Sequence, residues 1–331
     1  MKKNVNYFLL NCVKNCKYKL TYLIYLNLIL SLNYYFIRMK TDTKKYLTQG
    51  GDKFSLKNYS TTYNGHLDKA TGKEELERVK GELKEYQEAL YASDSHSLLI
   101  VFQAMDAAGK DSAIEHVMSG LNPQGCEVYS FKTPNSEEYS HDFLWRHYKA
   151  LPERGKIGIH NRSHYENVLV CKVHPEYILS ENIPGFNDVK KIDKKFWKAR
   201  YESIRNFEKH LVANGTLVLK FFLHVSKDEQ KQRFLDRIED PSKNWKFSVG
   251  DLKERALWDK YMKAYEEAIS ETASAETPWY VIPADKKWYA RLAISQVIQE
   301  ALESLNLKYP VLPKDEAEQL TPIKEQLLNE K

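Results

Sequence analysis

Ser97-Leu-Leu-Ile-Val-Phe-Gln-Ala-Met-Asp-Ala-Ala-Gly-Lys-Asp-Ser112, running on into Ala113-Ile-Glu-His-Val-Met118, joins an apolar run, a small-residue turn and a helical pattern in that order. The run is rich in β-branched and aromatic residues, which predicts a strand buried on both faces. The turn carries Asp106, Gly109 and Lys110. A Gly-Lys turn between strand and helix suits a phosphate: free backbone amides and the helix N-terminus face the anion, and the lysine adds a point charge. Two positions depart from the usual G-x-x-x-x-G-K-[ST] pattern. Ala104 stands at the first glycine, and Asp111 replaces the magnesium-binding Ser/Thr. On the motif alone, an ordinary strand-to-helix turn with a surface lysine remains open. Asp106 argues against it. An acid inside an anion cradle repels the ligand unless a cation or a proton acceptor is needed there, so it points to metal-bound phosphate or to a base beside the accepting oxygen.

Outward from this stretch, further strands are expected at 126–131, 157–161, 216–224 and 279–282, with helices at 109–120, 138–149 and 194–213. Lys73 to Ala92 has helical spacing in Leu76, Val79, Leu83, Tyr86 and Leu90. Strands alternating with helices imply a parallel sheet covered on both faces, with ligands at the carboxyl ends of the strands. Residues 226–273 interrupt the alternation. They are helical, highly charged and broken at Pro241-Ser242-Lys243-Asn244-Trp245. A long helical insertion before the last strand reads as a lid whose arginines close over phosphates; a solvated helical hairpin is the alternative. At the tip of the third strand, Asn161-Arg-Ser-His-Tyr-Glu166 offers Arg162 as a fork for phosphate oxygens. The same residues read equally as a helix start, with Asn161 or Ser163 capping and Glu166 supporting the cap. The spacing of His160, His164 and His174 fits no common ligand set, and His116 reads as packing.

The chain has 331 residues and a net charge of +5. Residues 1–40 hold seven Lys/Arg and no acid, which leaves the remainder at −2. The basic pI is therefore no sign of a nucleic-acid partner. Cys12, Cys16, Cys126 and Cys171 show no metal-type spacing, and buried free thiols in a reducing compartment are expected. Leu20 to Ile37 could be a signal anchor, a signal peptide lacking a cleavage site, or spurious translation upstream of a start at Met39. Its Asn-, Lys-, Tyr-, Leu- and Ile-rich composition favours the last. The expected organisation is an N-terminal extension at 1–38, an arm and helix at 39–95, a phosphotransferase domain at 96–310 and a tail at 311–331.

Several separated motifs together resemble the polyphosphate kinase type 2 family. They are Ala104-Met-Asp-Ala-Ala-Gly-Lys-Asp-Ser112, Gly120-Leu-Asn-Pro-Gln-Gly125, Asn161-Arg-Ser-His-Tyr-Glu-Asn-Val-Leu169 with Val173-His-Pro-Glu-Tyr177, the Trp245-Lys-Phe-Ser248 to Trp258-Asp259 stretch, and Pro283-Ala-Asp-Lys-Lys-Trp-Tyr-Ala-Arg291. The resemblance implies a three-layer α/β fold of the P-loop kinase kind, similar to thymidylate kinase: a five-stranded parallel sheet, helices on both faces and a helical lid. It implies Mg²⁺-dependent (alternatively Mn²⁺-dependent), reversible transfer of the terminal phosphoryl group of inorganic polyphosphate to a nucleotide. Carried over by residue, Asp106, Lys110 and Arg162 are catalytic, and Asp106 also binds metal. Ala107, Ala108, Gly109, Lys110 and Asp111 form the phosphate cradle. Lys132 and Arg146 are further phosphate contacts, and Arg233, Arg237 and Arg255 close from the lid. Asn161 in place of Asp at the third-strand tip, followed by Val-His-Pro-Glu, resembles the subclass that accepts AMP as well as ADP. Adenine nucleotides are the expected acceptors, with guanine open. A cytoplasmic homo-oligomer with no nucleic-acid partner is expected, and a membrane partner only if residues 20–37 are a real segment.

Two alternatives remain at this point: an ATP-dependent nucleotide or nucleoside kinase on the same scaffold, and a non-catalytic polyphosphate-binding protein. Dispersed lid cations suit a long polyanion better than the first, and Asp106 is not needed by the second. A GTPase is disfavoured, because no Asn-Lys-x-Asp motif occurs.

Overall fold

Residues 42–51 and 53–330 are described by the structure, a computed structural model. The readings of residues 1–38 lie outside the described residues. In chain order the main elements are β1 (Leu47–Thr48), α1 (Lys69–Ser93), β2 (Ser97–Ala104), α2 (Lys110–Met118), β3 (Cys126–Ser130), β4 (Ile157–Asn161), α3 (Lys194–Ala213), β5 (Thr216–His224), α4 (Lys227–Glu239), α5 (Val249–Ala256), α6 (Trp258–Thr272), β6 (Trp279–Pro283), α7 (Lys287–Ser304) and α8 (Lys314–Asn329).

The apolar run beginning at Ser97 becomes the centre of the sheet. Every residue of β2 is buried, and it pairs in parallel with β4 on one side and β5 on the other. The sheet order is β1-β6-β5-β2-β4-β3. After β2 the chain runs out to β3, returns to β4, then crosses to β5 on the opposite side. The crevice at the carboxyl end of β2 is thus the topological switch point, where ligands bind in open α/β sheets. Five strands are parallel, as the alternation requires. The sixth corrects the expectation of five: β1 pairs antiparallel with the outer edge of β6. This short piece of the N-terminal arm covers a sheet edge.

On one face α1 and α2 pack with α7. Asp68 caps α1 by accepting from the Thr71 amide at 2.8 Å, and the predicted stripe Leu76, Val79, Leu83 and Leu90 is buried. A Cβ at Gly72 would stand 2.2 Å from the Trp288 ring, so glycine is what lets α1 approach α7. On the other face α3 packs on β5 and α6 on α3. Between these layers Lys220 is fully buried. Its ammonium donates to Glu208 Oε2 (2.6 Å), the Tyr165 hydroxyl (3.1 Å) and the Thr272 carbonyl (3.0 Å). All three donors are used, as a buried cation requires.

The helix expected over 138–149 is two single turns, Ser136–Tyr139 and Trp145–Tyr148. Asn135 forms a capping box with Glu138, and Asp142 accepts from the Leu144 amide. These short-range bonds compete with a continuous helix. The lid region has three helices rather than two, because Leu257 turns the chain between α5 and α6. The expected tail is largely helical, as the wholly exposed α8. Cys126 and Cys171 are free but only part-buried; burial pushes their thiols up to about 11 and about 12.

Candidate active site

The turn after β2 is held by backbone geometry. Gly109 stands at the N-cap of α2 with φ 104°, a conformation open to glycine at no steric cost. Ala107 (φ 59°) is also left-handed, at a cost of about 1–2 kcal/mol. Ala104 does not share this demand. It is the last residue of β2 and is absent from the positive-φ positions, so its methyl group in place of the usual glycine is accommodated. The first amides of α2 have no intrahelical partner and form the cradle.

Lys110 is buried, and its ammonium donates to the Ala104 carbonyl at 3.1 Å. Burial pushes its pKa down and the charge of Asp106 works against that. Asp106 is one-third exposed and lies 3.6 Å from Arg162 Nη2. Arg162 follows β4 directly with φ 64°, pinned by its amide donating to the Phe102 carbonyl at 3.2 Å. The structure therefore brings together the three residues read as catalytic. Glu166 joins them: burial pushes its carboxyl up, against the charges of Arg162 and Lys110. Asp111 is held by Asn161, whose Nδ2 donates to Oδ1 at 2.6 Å.

The lid arginines separate into three situations. Arg233 is buried, and its guanidinium is fully spent. Nε donates to Glu229 (2.8 Å), Nη1 to the carbonyls of Ala107 (3.0 Å) and Ala108 (2.7 Å), and Nη2 to those of Ala284 (2.6 Å) and Asp285 (3.1 Å). The expectation that it closes over phosphate is corrected: five donors occupied by protein make it a clamp behind the turn. Gln230, one helical turn earlier, donates to the Asp106 carbonyl at 2.9 Å. Arg255 is tied to the Lys227 carbonyl and Gln230 Oε1, both at 2.7 Å. Arg237 is held more loosely, its Nη1 3.3 Å from the Lys246 carbonyl. It lies 3.6 Å from Asp251 on α5. The Asp251 carboxyl is pushed up by burial and by the negative charge of Asp106, so the lid presents an acid toward the acid of the turn.

Beyond Arg162 and Glu166 lies a cavity of about 320 Å³, lined in part by Phe131, Lys132, Tyr139, Phe143, Arg146 and Tyr177. Arg146 sits over the Phe131 ring at 5.4 Å, with Nη1 3.3 Å from Glu138. Its other bond at Nη1, to the Lys132 carbonyl (2.8 Å), closes one wall. A hollow lined by both aromatic and charged side chains suits a base with phosphates attached. The sequence reading found Lys132 and Arg146 but not the hollow. Its aromatics come from three separated segments with no common spacing. His174 is elsewhere, its Nε2 2.9 Å from Glu254. Among the described residues no helix is long and apolar enough to cross a membrane.

The model of the Polyphosphate kinase 2 (PPK2) family matches residues 66–310. A Rhodopseudomonas palustris protein named ADP-polyphosphate phosphotransferase is 51% identical over 291 residues, covering 88% of this chain and 100% of its own. A Meiothermus ruber protein named AMP/ADP-polyphosphate phosphotransferase is 44% identical, over 81% of this chain and 95% of its own. The crystal structure of polyphosphate kinase 2 from Arthrobacter aurescens superposes with a TM-score of 0.78 at 40% identity, over 87% of this chain and 98% of that one.

Proposed function

The chain belongs to the polyphosphate kinase 2 family, and from that premise we propose how its residues carry phosphoryl transfer between polyphosphate and an adenine nucleotide. The observation that carries the reading is one crevice holding two different receptors. The Gly109-Lys110 cradle takes phosphates at the switch point, and the aromatic cavity beside Arg162 takes the nucleotide. Asp106 lies between them, near Arg162.

In this reading the polyphosphate end rests on the α2 amides and Lys110, and Arg162 spans donor and acceptor phosphates. The chemistry asks mainly for alignment and charge neutralisation, since phosphoryl transfer passes through a loose transition state. Asp106 orients the accepting phosphate oxygen. Arg237 closes from the lid, while Arg233 and Gln230 keep the turn in shape from behind.

The site's oxygen donors fit Mg²⁺. The charge of Asp106 helps push the Asp251 carboxyl up, a repulsion that a hard cation between carboxylate and phosphate oxygens would relieve. Asp106 would hold the ion, with Asp251 facing it from the lid. When bound, Mg²⁺ neutralises phosphate charge.

Asn161 bears on the acceptor. An aspartate there would set a second carboxylate against Asp111 at hydrogen-bond distance; the Asn161 amide satisfies Asp111 without a cation. This supports the reading that AMP as well as ADP is accepted. Nucleotide acceptors and free thiols fit a cytoplasmic enzyme.

Steady-state kinetics of Tyr177→Ala test the two-receptor arrangement. Tyr177 is half-exposed at the cavity, so its loss should leave the fold intact. Base stacking is worth about 1–3 kcal/mol. The KM for nucleotide should therefore rise about 5- to 150-fold, with the KM for polyphosphate unchanged. An unchanged nucleotide KM would move the acceptor out of this cavity.

A further inference from the structure

Behind the tip of β4, three imidazoles converge inside the protein. His147 follows Arg146 in the turn Trp145–Tyr148, His160 belongs to β4, and His164 lies two residues beyond Arg162. All three are 0% exposed. One ring nitrogen from each lies within 4.8 Å of those of the other two. By spacing, His160, His164 and His174 fit no common ligand set; in the fold it is His147, not His174, that lies with the other two.

Two of the rings are oriented by partners at Nε2. His160 Nε2 lies 3.0 Å from the Ala150 carbonyl oxygen, and His164 Nε2 lies 3.3 Å from Glu208 Oε1. Both partners are acceptors, so each Nε2 carries the proton and each Nδ1 is left as a bare lone pair. This is the outer-shell pattern that sets a histidine for metal ligation. At His147 the roles are reversed: Arg146 Nε donates to Nε2 across a long 3.4 Å, which puts that ring's proton on Nδ1, so ligation there requires the tautomer to shift and this contact to open. The Nδ1 atoms of all three rings are buried without a hydrogen-bond partner. Orphaned buried polar atoms are rare in folded proteins, and three in one place ask for an occupant. Burial also pushes two of the rings down, well below the usual histidine range for His147 and to about 4 for His160, and the neutral imidazole is the form that binds a metal.

We propose that His147, His160 and His164 bind one Zn²⁺ ion in a structural site separate from the phosphate-transfer centre. Three neutral nitrogens suit a borderline transition metal, whereas Mg²⁺ prefers the oxygens of the turn and lid. With bonds of about 2.0–2.1 Å, the nitrogens, now within 4.8 Å of one another, would close to about 3.3–3.4 Å on binding the ion, and a water would complete the tetrahedron. His147 is joined in sequence to Arg146 in the cavity wall, and His160 to Asn161 at the β4 tip. The ion would therefore staple the nucleotide cavity to the strand that carries Arg162. The inference stands apart from the identity of the substrates.

The test uses untagged full-length protein, stripped with chelator and dialysed against Zn²⁺, then gel-filtered and analysed for metal. The expected result is one Zn²⁺ per chain, a raised melting temperature, and an X-ray absorption spectrum with three nitrogen scatterers at about 2.0 Å. His160→Phe should lose the ion, with Zn²⁺ binding at least about 100-fold weaker, the effect typical of removing a site's key partner. The Phe131 ring, 5.0 Å from His160, provides aromatic surroundings for the new ring. His174→Ala should keep the full complement. Wild-type protein that holds no Zn²⁺ after gel filtration would overturn the proposal in favour of an ordered water. So would a folded His160→Phe that retains one ion. If His160→Phe does not fold, the wild-type absorption spectrum decides: an oxygen-dominated shell contradicts the site, and a three-nitrogen shell supports it.

Discussion

Arg233→Ala separates two roles that a lid arginine can have. A phosphate ligand is free before substrate arrives; a clamp is spent from the start. Arg233 is 4% exposed and all of its N–H groups point at protein acceptors, four of them carbonyls of the turn and of the segment after β6. Truncation leaves those carbonyls, at Ala107, Ala108, Ala284 and Asp285, without their donor. A hydrogen bond to a charged group contributes about 1.5–3 kcal/mol, but such terms do not add, and water entering the space recovers part of the loss. Breaking a buried charged contact from one side costs about 3–5 kcal/mol, which is the expected destabilisation. At about 2–4 °C per kcal/mol for a domain of this size, the melting temperature should fall by roughly 6–20 °C. The assay is thermal unfolding followed by circular dichroism, with and without polyphosphate. Arg233→Lys should recover only part of the loss, because an ammonium cannot reproduce a planar five-donor fork. An unchanged melting temperature without ligand, combined with lost stabilisation by polyphosphate, would refute the clamp and restore the phosphate-ligand role.

Asp106→Asn should lower turnover on the order of 10²-fold or more with the fold unaltered by circular dichroism, since Asp106 is one-third exposed; a near-normal rate would make the acid structural. Lys220→Met strands Glu208 without its cation inside the protein, and denaturant unfolding should show a loss of about 3–5 kcal/mol. Glu166 gives a pH signature. Its carboxyl is raised in the folded chain above the unfolded value near 4.5, so the proton is bound more tightly in the fold. Its contribution is then fully favourable below about pH 4.5 and is lost as pH rises through the folded value. Glu166→Gln should unfold at higher temperature than wild type near pH 7, with the gap closing in acid; parallel curves across pH would contradict the assignment.

Much of the scaffold was legible because it rests on local pattern. The run from Ser97 reads as a central strand, 157–161 and 216–224 become strands with the expected bounds, and α3 begins where Asp193 caps it, accepting from the Lys195 and Phe196 amides. What failed was either too short or too distant. β1 is two residues long and gives no periodicity to read. The run 138–149 carries a helical pattern, but side chains of Asn135 and Asp142 take the backbone bonds that a continuous helix needs. In the site, Asp106, Lys110 and Arg162 were found because strand tips meet at a switch point whatever the details of packing. Arg233 was misread because a charge pattern gives the sign of a side chain and not what it faces. The aromatic cavity and the three-histidine cluster draw on segments far apart in sequence, so neither leaves a spacing. The buried Lys220 sits between apolar triplets, Leu217–Leu219 and Phe221–Leu223, and only the fold supplies Glu208 to meet it.

The central claim is that this crevice passes a phosphoryl group from polyphosphate to an adenine nucleotide. The most direct measurement incubates the purified protein with Mg²⁺, long-chain polyphosphate and either ADP or AMP, and follows the nucleotides by chromatography beside Lys110→Ala. The account predicts ATP from ADP, ADP and then ATP from AMP, and loss of most of both in a Lys110→Ala variant that keeps its fold. No product from polyphosphate under conditions where ATP serves as donor, or full turnover in Lys110→Ala, would contradict it.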